Sequence, residues 1–191
     1  MPPTTQSESS FAETESSSAR RIVVRRATFK DLDAVIQLRL ALLREYPDHP
    51  IYGRLQPDVS ARARELFAAQ LRSTTEAMYL ASFQDAGVSA APLAESVGIL
   101  RCTESTSSPL LEPSRYAYVS SVYVHPAARR QGVLRALLRA ADGWSRARGL
   151  EEMRLHNVAD SDSAGVAWSA LGFEVVEHVR RRVIGGSTAR A

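Results

Sequence analysis

The run Tyr118-Val-Ser-Ser-Val-Tyr-Val-His-Pro-Ala-Ala-Arg-Arg-Gln-Gly-Val-Leu-Arg-Ala-Leu-Leu138 constrains the fold more than any other part of the chain. A β-branched, aromatic strand ends at His125-Pro126. A short basic turn follows, with one glycine at Gly132, and a long amphipathic helix begins. A strand that feeds the bare N-terminus of a helix leaves several backbone N–H groups without partners, and the helix dipole adds partial positive charge there. Such a junction binds anions, most naturally a phosphate or pyrophosphate.

The rest of the chain supplies a domain around this junction. At 191 residues it is long enough for one domain with a real core. Its 45% apolar and 24% charged residues are ordinary for a soluble globular protein. No stretch approaches the roughly 18 apolar residues of a membrane span, so no membrane partner is expected. The polar, acidic start argues against a secretory signal. Cys102 is the only cysteine, which excludes an internal disulfide and fits a reducing cytoplasm. Lys30 is the only lysine, so every other basic residue is arginine. Acidic residues interleave with these arginines, so no nucleic-acid stripe emerges. No histidines or carboxylates have metal-ligand spacing, and no metal is expected.

Residues 1–19 are rich in Ser, Thr and Glu and read as a disordered tail. The domain is expected over 20–184, with a frayed tail over 185–191. It opens with a strand at Ile22-Val23-Val24. Thr28 and Asp31 then form a capping-box variant, ahead of a helix carrying Leu32, Val35, Ile36, Leu40 and Leu43 at helical spacing. A loop with two prolines spans Tyr46 to Arg54, and a second helix runs from about Pro57 to Arg72. Strands are predicted at 78–83 and 97–102, joined by a turn over 85–94. A Ser/Pro-rich loop, read as a flap or a passive insertion, spans 104–115. The strand 116–124 and the helix ending at Gly149 follow. A short strand over 152–157, a helix from Ser161 or Asp162 to Leu171-Gly172, and strand character over 173–184 complete the order. The class is α/β: β-α-α-β-β-β-α-β-α-β-β, a mixed, mostly antiparallel sheet with helices on both faces.

This order and these residues resemble the GNAT superfamily of N-acetyltransferases. The family's acyl-CoA motif is Arg or Gln, two residues, Gly, one residue, then Gly or Ala. Here it reads Arg129-Arg130-Gln131-Gly132-Val133-Leu134. The preceding strand ends Val122-Tyr-Val-His-Pro126, as the family's fourth strand does. Ala164-Gly-Val-Ala-Trp-Ser-Ala-Leu-Gly-Phe173 resembles its last helix and Leu-Gly-Phe exit. The resemblance runs from about Ile22 to Ile184. It implies acetyl-CoA as co-substrate, a small-molecule or peptide amine as acceptor, and direct acyl transfer in the cytoplasm. A homodimer through the C-terminal strands is compatible with this arrangement.

The resemblance also implies site residues. Amides of Gln131, Gly132, Val133, Leu134 and Arg135 would hold the pyrophosphate, with Arg129, Arg130 or Arg135 adding charge-assisted bonds. The main chain around Val122, Tyr123 and Val124 would pair with the pantetheine arm. Asn157 and Trp168 would line the same cleft. Tyr46, His49 and Tyr52 would border the acceptor. Four positions depart from the family. Ser161 replaces an asparagine often found three residues before the alanine of the last helix. Leu134 replaces the usual Gly or Ala; beside core-facing Val133 and Leu137, it is read as pointing inward. Tyr118 stands where many members have a glutamate base, leaving Tyr118 and Ser120 as the catalytic candidates. Trp168 stands where many have a tyrosine acid. Three readings stay open: catalysis by positioning alone, a substitute base such as His49, Glu45, Asp48 or Glu112, or acyl-CoA sensing without turnover. For His49 the alternative is an exposed loop histidine; for the aromatics, packing between helices. An arginine-rich nucleic-acid binder ranks behind all of these.

Overall fold

In the computed structural model, residues 20–84, 95–158 and 162–184 are described. The expected tails, the turn over 85–94 and the role of Ser161 lie outside them. The chain divides into two compact units, Met1–Arg154 and Leu155–Ala191.

The first unit is built on a sheet of order β1-β2-β3-β4-β5. Its strands are β1 (Arg21–Arg26), β2 (Glu76–Gln84), β3 (Gly98–Thr106), β4 (Arg115–Val124) and β5 (Met153–Leu155). The first three pairings are antiparallel. Helices α1 (Leu32–Arg44) and α2 (Val59–Arg72) precede β2, and α3 (Val133–Arg146) follows β4.

Side chains alternate across a strand, so the sheet has two faces with separate partners. On one face Met78, Leu80, Ile99 and Tyr123 join Leu32, Val35, Ile36 and Phe67 in a single buried cluster with α1 and α2. Each such aliphatic side chain, fully buried, contributes about 1.5–3 kcal/mol. On the other face lie Ala81, Leu100, Cys102 and Val119, all fully buried. Helix α3 packs there through Val133, Leu137, Ala141 and Trp144. Gly98 makes this close approach feasible: a Cβ there would sit 3.0 Å from Val133 Cγ1 and 3.2 Å from Tyr123 O.

Two expectations need correction. The loop expected over 104–115 is shorter, because β3 runs to Thr106 and β4 begins at Arg115. Glu104, Ser105 and Thr106 pair with Ala117, Tyr116 and Arg115, and Arg115 Nη1 bonds Glu104 Oε1 at 2.6 Å. Ladder pairing outweighs the weak strand preference of Glu and Ser. The second correction falls in the second unit. Among its described residues, helix α4 (Asp162–Ser169) ends two residues before the expected Leu-Gly-Phe exit, where Gly172 adopts φ +89°. Residues 173–184 are not strand. Val175, Val176, Val179, Val183 and Ile184 are all exposed. Adjacent valines at 175 and 176 break the period-two pattern, and three consecutive arginines follow at 180–182.

Candidate active site

The junction between β4 and α3 has the local geometry of an anion site. Gly132 is the N-cap of α3 at φ +85° and ψ 3°, a left-handed conformation that glycine adopts without penalty. A Cβ there would meet only Ile22 Cδ1, at 3.7 Å, so backbone conformation rather than crowding calls for glycine. The first intrahelical bond runs from Ala136 N to Gly132 O at 3.0 Å. The N–H groups of Val133, Leu134 and Arg135 have no acceptor among the described residues. No side chain caps this end, and its first turn holds no acid. Donors and dipole therefore face outward without a protein anion to answer them. Such a corner fits a pyrophosphate.

The arginines of the motif divide their work. Arg129 Nε donates to Val124 O at 3.0 Å, and its Nη2 pairs with Glu45 at the end of α1. Arg129 thus ties the strand end to the first helix. Arg130, at φ +61°, and Arg135 are exposed beside the open amides. Gln131 Nε2 donates to Ala127 O at 2.8 Å and braces the turn. Val133 is buried and Leu134 half-buried.

The end of β4 presents main chain away from β3. The His125 N–H returns to Val97 O at 2.8 Å. Alternation then turns the N–H and C=O of Val124, and of Val122 two residues earlier, to the opposite side. Tyr123 points its side chain into the α1 cluster, and its own N–H and C=O face Ile99 of β3, so neither its phenol nor its main chain is open here, contrary to the expectation that it would help hold the pantetheine arm. Ser121 sits at φ +53°, and the β3–β4 register shifts between Ile99 and Arg101. A bulge at this point re-aims the side chains on either side of it.

One of those side chains is Ser120. Across the ladder Arg101 pairs with Ser120 and Thr103 with Tyr118. Arg101 Nη1 donates to Ser120 Oγ at 3.1 Å, and Arg101 Nε bonds Glu76 Oε2 at 2.7 Å. Burial, with Tyr52 and Tyr116 nearby, raises the Tyr118 pKa, while Arg101 opposes the shift. Tyr118 therefore keeps its proton near neutrality. Arg39 of α1 is half-buried, and desolvation lowers its pKa; Tyr52 and Arg101 both act on its charge. The structure brings Tyr118, Ser120 and Tyr52 into one neighbourhood. It adds Arg39, Arg101 and Glu76, which the sequence alone did not single out. The only advance signal was Arg39 itself, a charge on the apolar stripe of the first helix.

The loop after α1 is organised by His49. Its Nδ1 accepts from Ile51 N at 3.2 Å and Tyr52 N at 3.1 Å. Its ring stacks on Tyr52, with centroids 4.6 Å apart, and meets Tyr46 edge-on at 6.3 Å. With Nδ1 held as an acceptor, the proton of the neutral ring sits on Nε2. His49 in this state shapes the loop and positions Tyr52. Asn157 and Trp168 belong to the second unit. There Asn157 Nδ2 donates to Val158 O at 3.2 Å, and Trp168 meets Phe173 edge-on at 5.3 Å. Among the described residues no cluster of His, Cys, Asp or Glu could hold a metal ion. No described helix is long and apolar enough to cross a membrane.

Comparison with known proteins places this geometry in context. Residues 43–173, more than half of the chain, match the model of the Acetyltransferase (GNAT) family. An aminoglycoside N(6')-acetyltransferase type 1 from Klebsiella aerogenes is 32% identical over 93 residues. That match spans 49% of this chain and 61% of the Klebsiella enzyme. Among solved structures, the aminoglycoside acetyltransferase AAC(6')-Iy, in complex with a bisubstrate analogue of CoA and acetylneamine, is similar at a TM-score of 0.63 and 21% identity. The similarity covers 85% of this chain and 99% of that one. A predicted acetyltransferase from Clostridium acetobutylicum, solved with acetyl-CoA, gives a TM-score of 0.65 at 13% identity, covering 85% and 96% of the two chains.

Proposed function

We propose, from the premise that this chain belongs to the GNAT family of acetyltransferases, that it transfers an acetyl group from acetyl-CoA to a small-molecule amine. The observation that carries this reading is the open α3 N-terminus at left-handed Gly132, directly after β4. The amides of Val133, Leu134 and Arg135 bind the pyrophosphate, and exposed Arg130 and Arg135 add charge. The outward main chain of Val122 and Val124 lies along the pantetheine arm in the manner of strand addition. The co-substrate supplies an already activated acyl thioester, which lessens the need for a strong protein base.

The chain's own residues then orient and supply protons. Tyr118 holds a proton at Oη. Ser120 Oγ is oriented by Arg101, which in turn is anchored by Glu76. No carboxylate lies in the β4 stretch from Tyr118 to Val124. Positioning carries most of the rate enhancement, and the amine loses its proton to water. Two of the similar proteins named above, the Klebsiella enzyme and AAC(6')-Iy, are aminoglycoside acetyltransferases, which supports a small-molecule acceptor here.

The test is thiol release. The protein is mixed with acetyl-CoA, a panel of amines and a chromogenic thiol reagent. Cys102 adds no background, because it is fully buried and burial raises its pKa to about 12. Amine-dependent appearance of free CoA is the expected result. Tight acetyl-CoA binding with no release across the panel would instead favour an acyl-CoA sensor.

A further inference from the structure

Helix α1 carries an arginine whose charge has no counterpart among the described residues. In α1, Leu32, Val35, Ile36, Leu40 and Leu43 form the stripe that faces the sheet. Arg39 lies on that stripe, three residues after Ile36 and four before Leu43. It is half-buried, and no carboxylate pairs with it among the described residues. Its charged neighbour is Arg101, a like charge. Arg101 shares the same face of the sheet, and Glu76 occupies its Nε side. Thr103 Oγ1, across from Tyr118 and Glu76 in the ladder, is buried without a partner among the described residues. The hydroxyls of Tyr52, Tyr118 and Ser120 complete the cluster.

Two guanidiniums against one carboxylate, with donors around them, make an arrangement that is costly on its own. Burying an unpaired charge is unfavourable, and a second like charge nearby adds to the cost. A bound oxyanion relieves both, and the planar guanidinium fork matches a carboxylate in particular. We infer that this cluster receives a carboxylate carried by the acceptor, so the amine acetylated here belongs to an amino acid or similar zwitterion rather than a polycation. The inference rests on the acetyltransferase reading above and specifies its substrate class. A polycationic aminoglycoside would bring its ammonium groups towards Arg39 and Arg101, where like charges repel.

The experiment compares matched acceptors at saturating acetyl-CoA. Glycine, β-alanine and γ-aminobutyrate are each set against their carboxamides, with a wider set of α-amino acids and their amides. Neamine and O-phosphoethanolamine complete the panel. At least one acid should exceed its amide in kcat/KM by about tenfold or more, the scale of a charge-assisted contact. Arg39→Met should bring that ratio close to one by raising KM for the acid, leave acetyl-CoA affinity unchanged, and melt no lower than the parent. A thioether is cheaper to bury than an unpaired guanidinium. Equal rates for acid and amide throughout, including silence on both, would overturn the inference. So would preference for neamine or O-phosphoethanolamine, or an Arg39→Met protein that melts well below the parent with selectivity intact. Amide turnover without acid preference sinks this inference alone, whereas failure to bind acetyl-CoA sinks the acetyltransferase reading beneath it.

Discussion

Asp31 joins β1 to the foot of α1 through a single carboxylate. It accepts from both terminal nitrogens of Arg25, at 2.8 and 2.6 Å, and from Thr28 N and Oγ1, at 2.8 and 3.0 Å. These bonds, that to Arg25 first, outweigh burial and lower its pKa to about 2. A depressed carboxylate pKa contributes stability that is present above the unfolded value, about pH 4, and lost as pH falls through the folded value. Denaturant midpoints should therefore drop between about pH 4 and pH 2 in the parent protein. Asp31→Asn should lose about 2–3 kcal/mol at neutral pH and show a flatter acid limb. An Asn variant as stable as the parent, with the same acid limb, would contradict this role. The spacing of Thr28 and Asp31 was legible in the chain. Arg25 was not, because its contact with Asp31 depends on where β1 lies beside the helix start. His49 shows the same limit: a loop histidine looks chemically free until the two backbone amides aimed at its Nδ1 are seen.

Among the elements, α3 carries two glycines of opposite character, and the sheet beneath it depends on one more. Gly132 is set by its dihedral angle. Gly143 sits in the helix interior, and a Cβ added there would meet nothing within 4 Å, while Gly98 beneath α3 is tightly enclosed. Gly98→Ala should cost about 1–3 kcal/mol, since Tyr123 O is backbone and cannot move aside. Gly143→Ala should stabilise by about 0.5–1 kcal/mol through helix propensity. Chemical denaturation reads both, and shifts of the same sign would contradict the packing described. Helices were legible from their 3.6-residue stripes, down to the glycine stop at Gly149. Strand ends were less so. Glu104 to Thr106 look like loop by composition and become strand through pairing, whereas 173–184 look like strand and are not assigned to one. Both outcomes turn on neighbours that a local pattern does not contain.

At the scale of the first unit, the sheet separates two tasks. Its α3 face is apolar and closely packed, with Cys102 sealed inside. Its α1 face is apolar towards β1 and polar around Arg101, Ser120 and Tyr118. The order of elements up to β5 and the β4–α3 junction could be read from the chain, because hydrophobic periodicity and one well-placed glycine are local signals. The cationic cluster could not. Arginine is nearly the only base in this protein, so Arg101 stands out only once the register sets it on the face against which α1 packs. The proposed function rests on the junction at Gly132, and calorimetric titration of acetyl-CoA tests it most directly. Gly132→Glu places a carboxylate where the α3 amides face outward, and circular dichroism checks that the variant stays folded. The expected result is tight binding by the parent and a loss of at least about a hundredfold in the folded variant. Equal affinity in the two proteins would contradict the site.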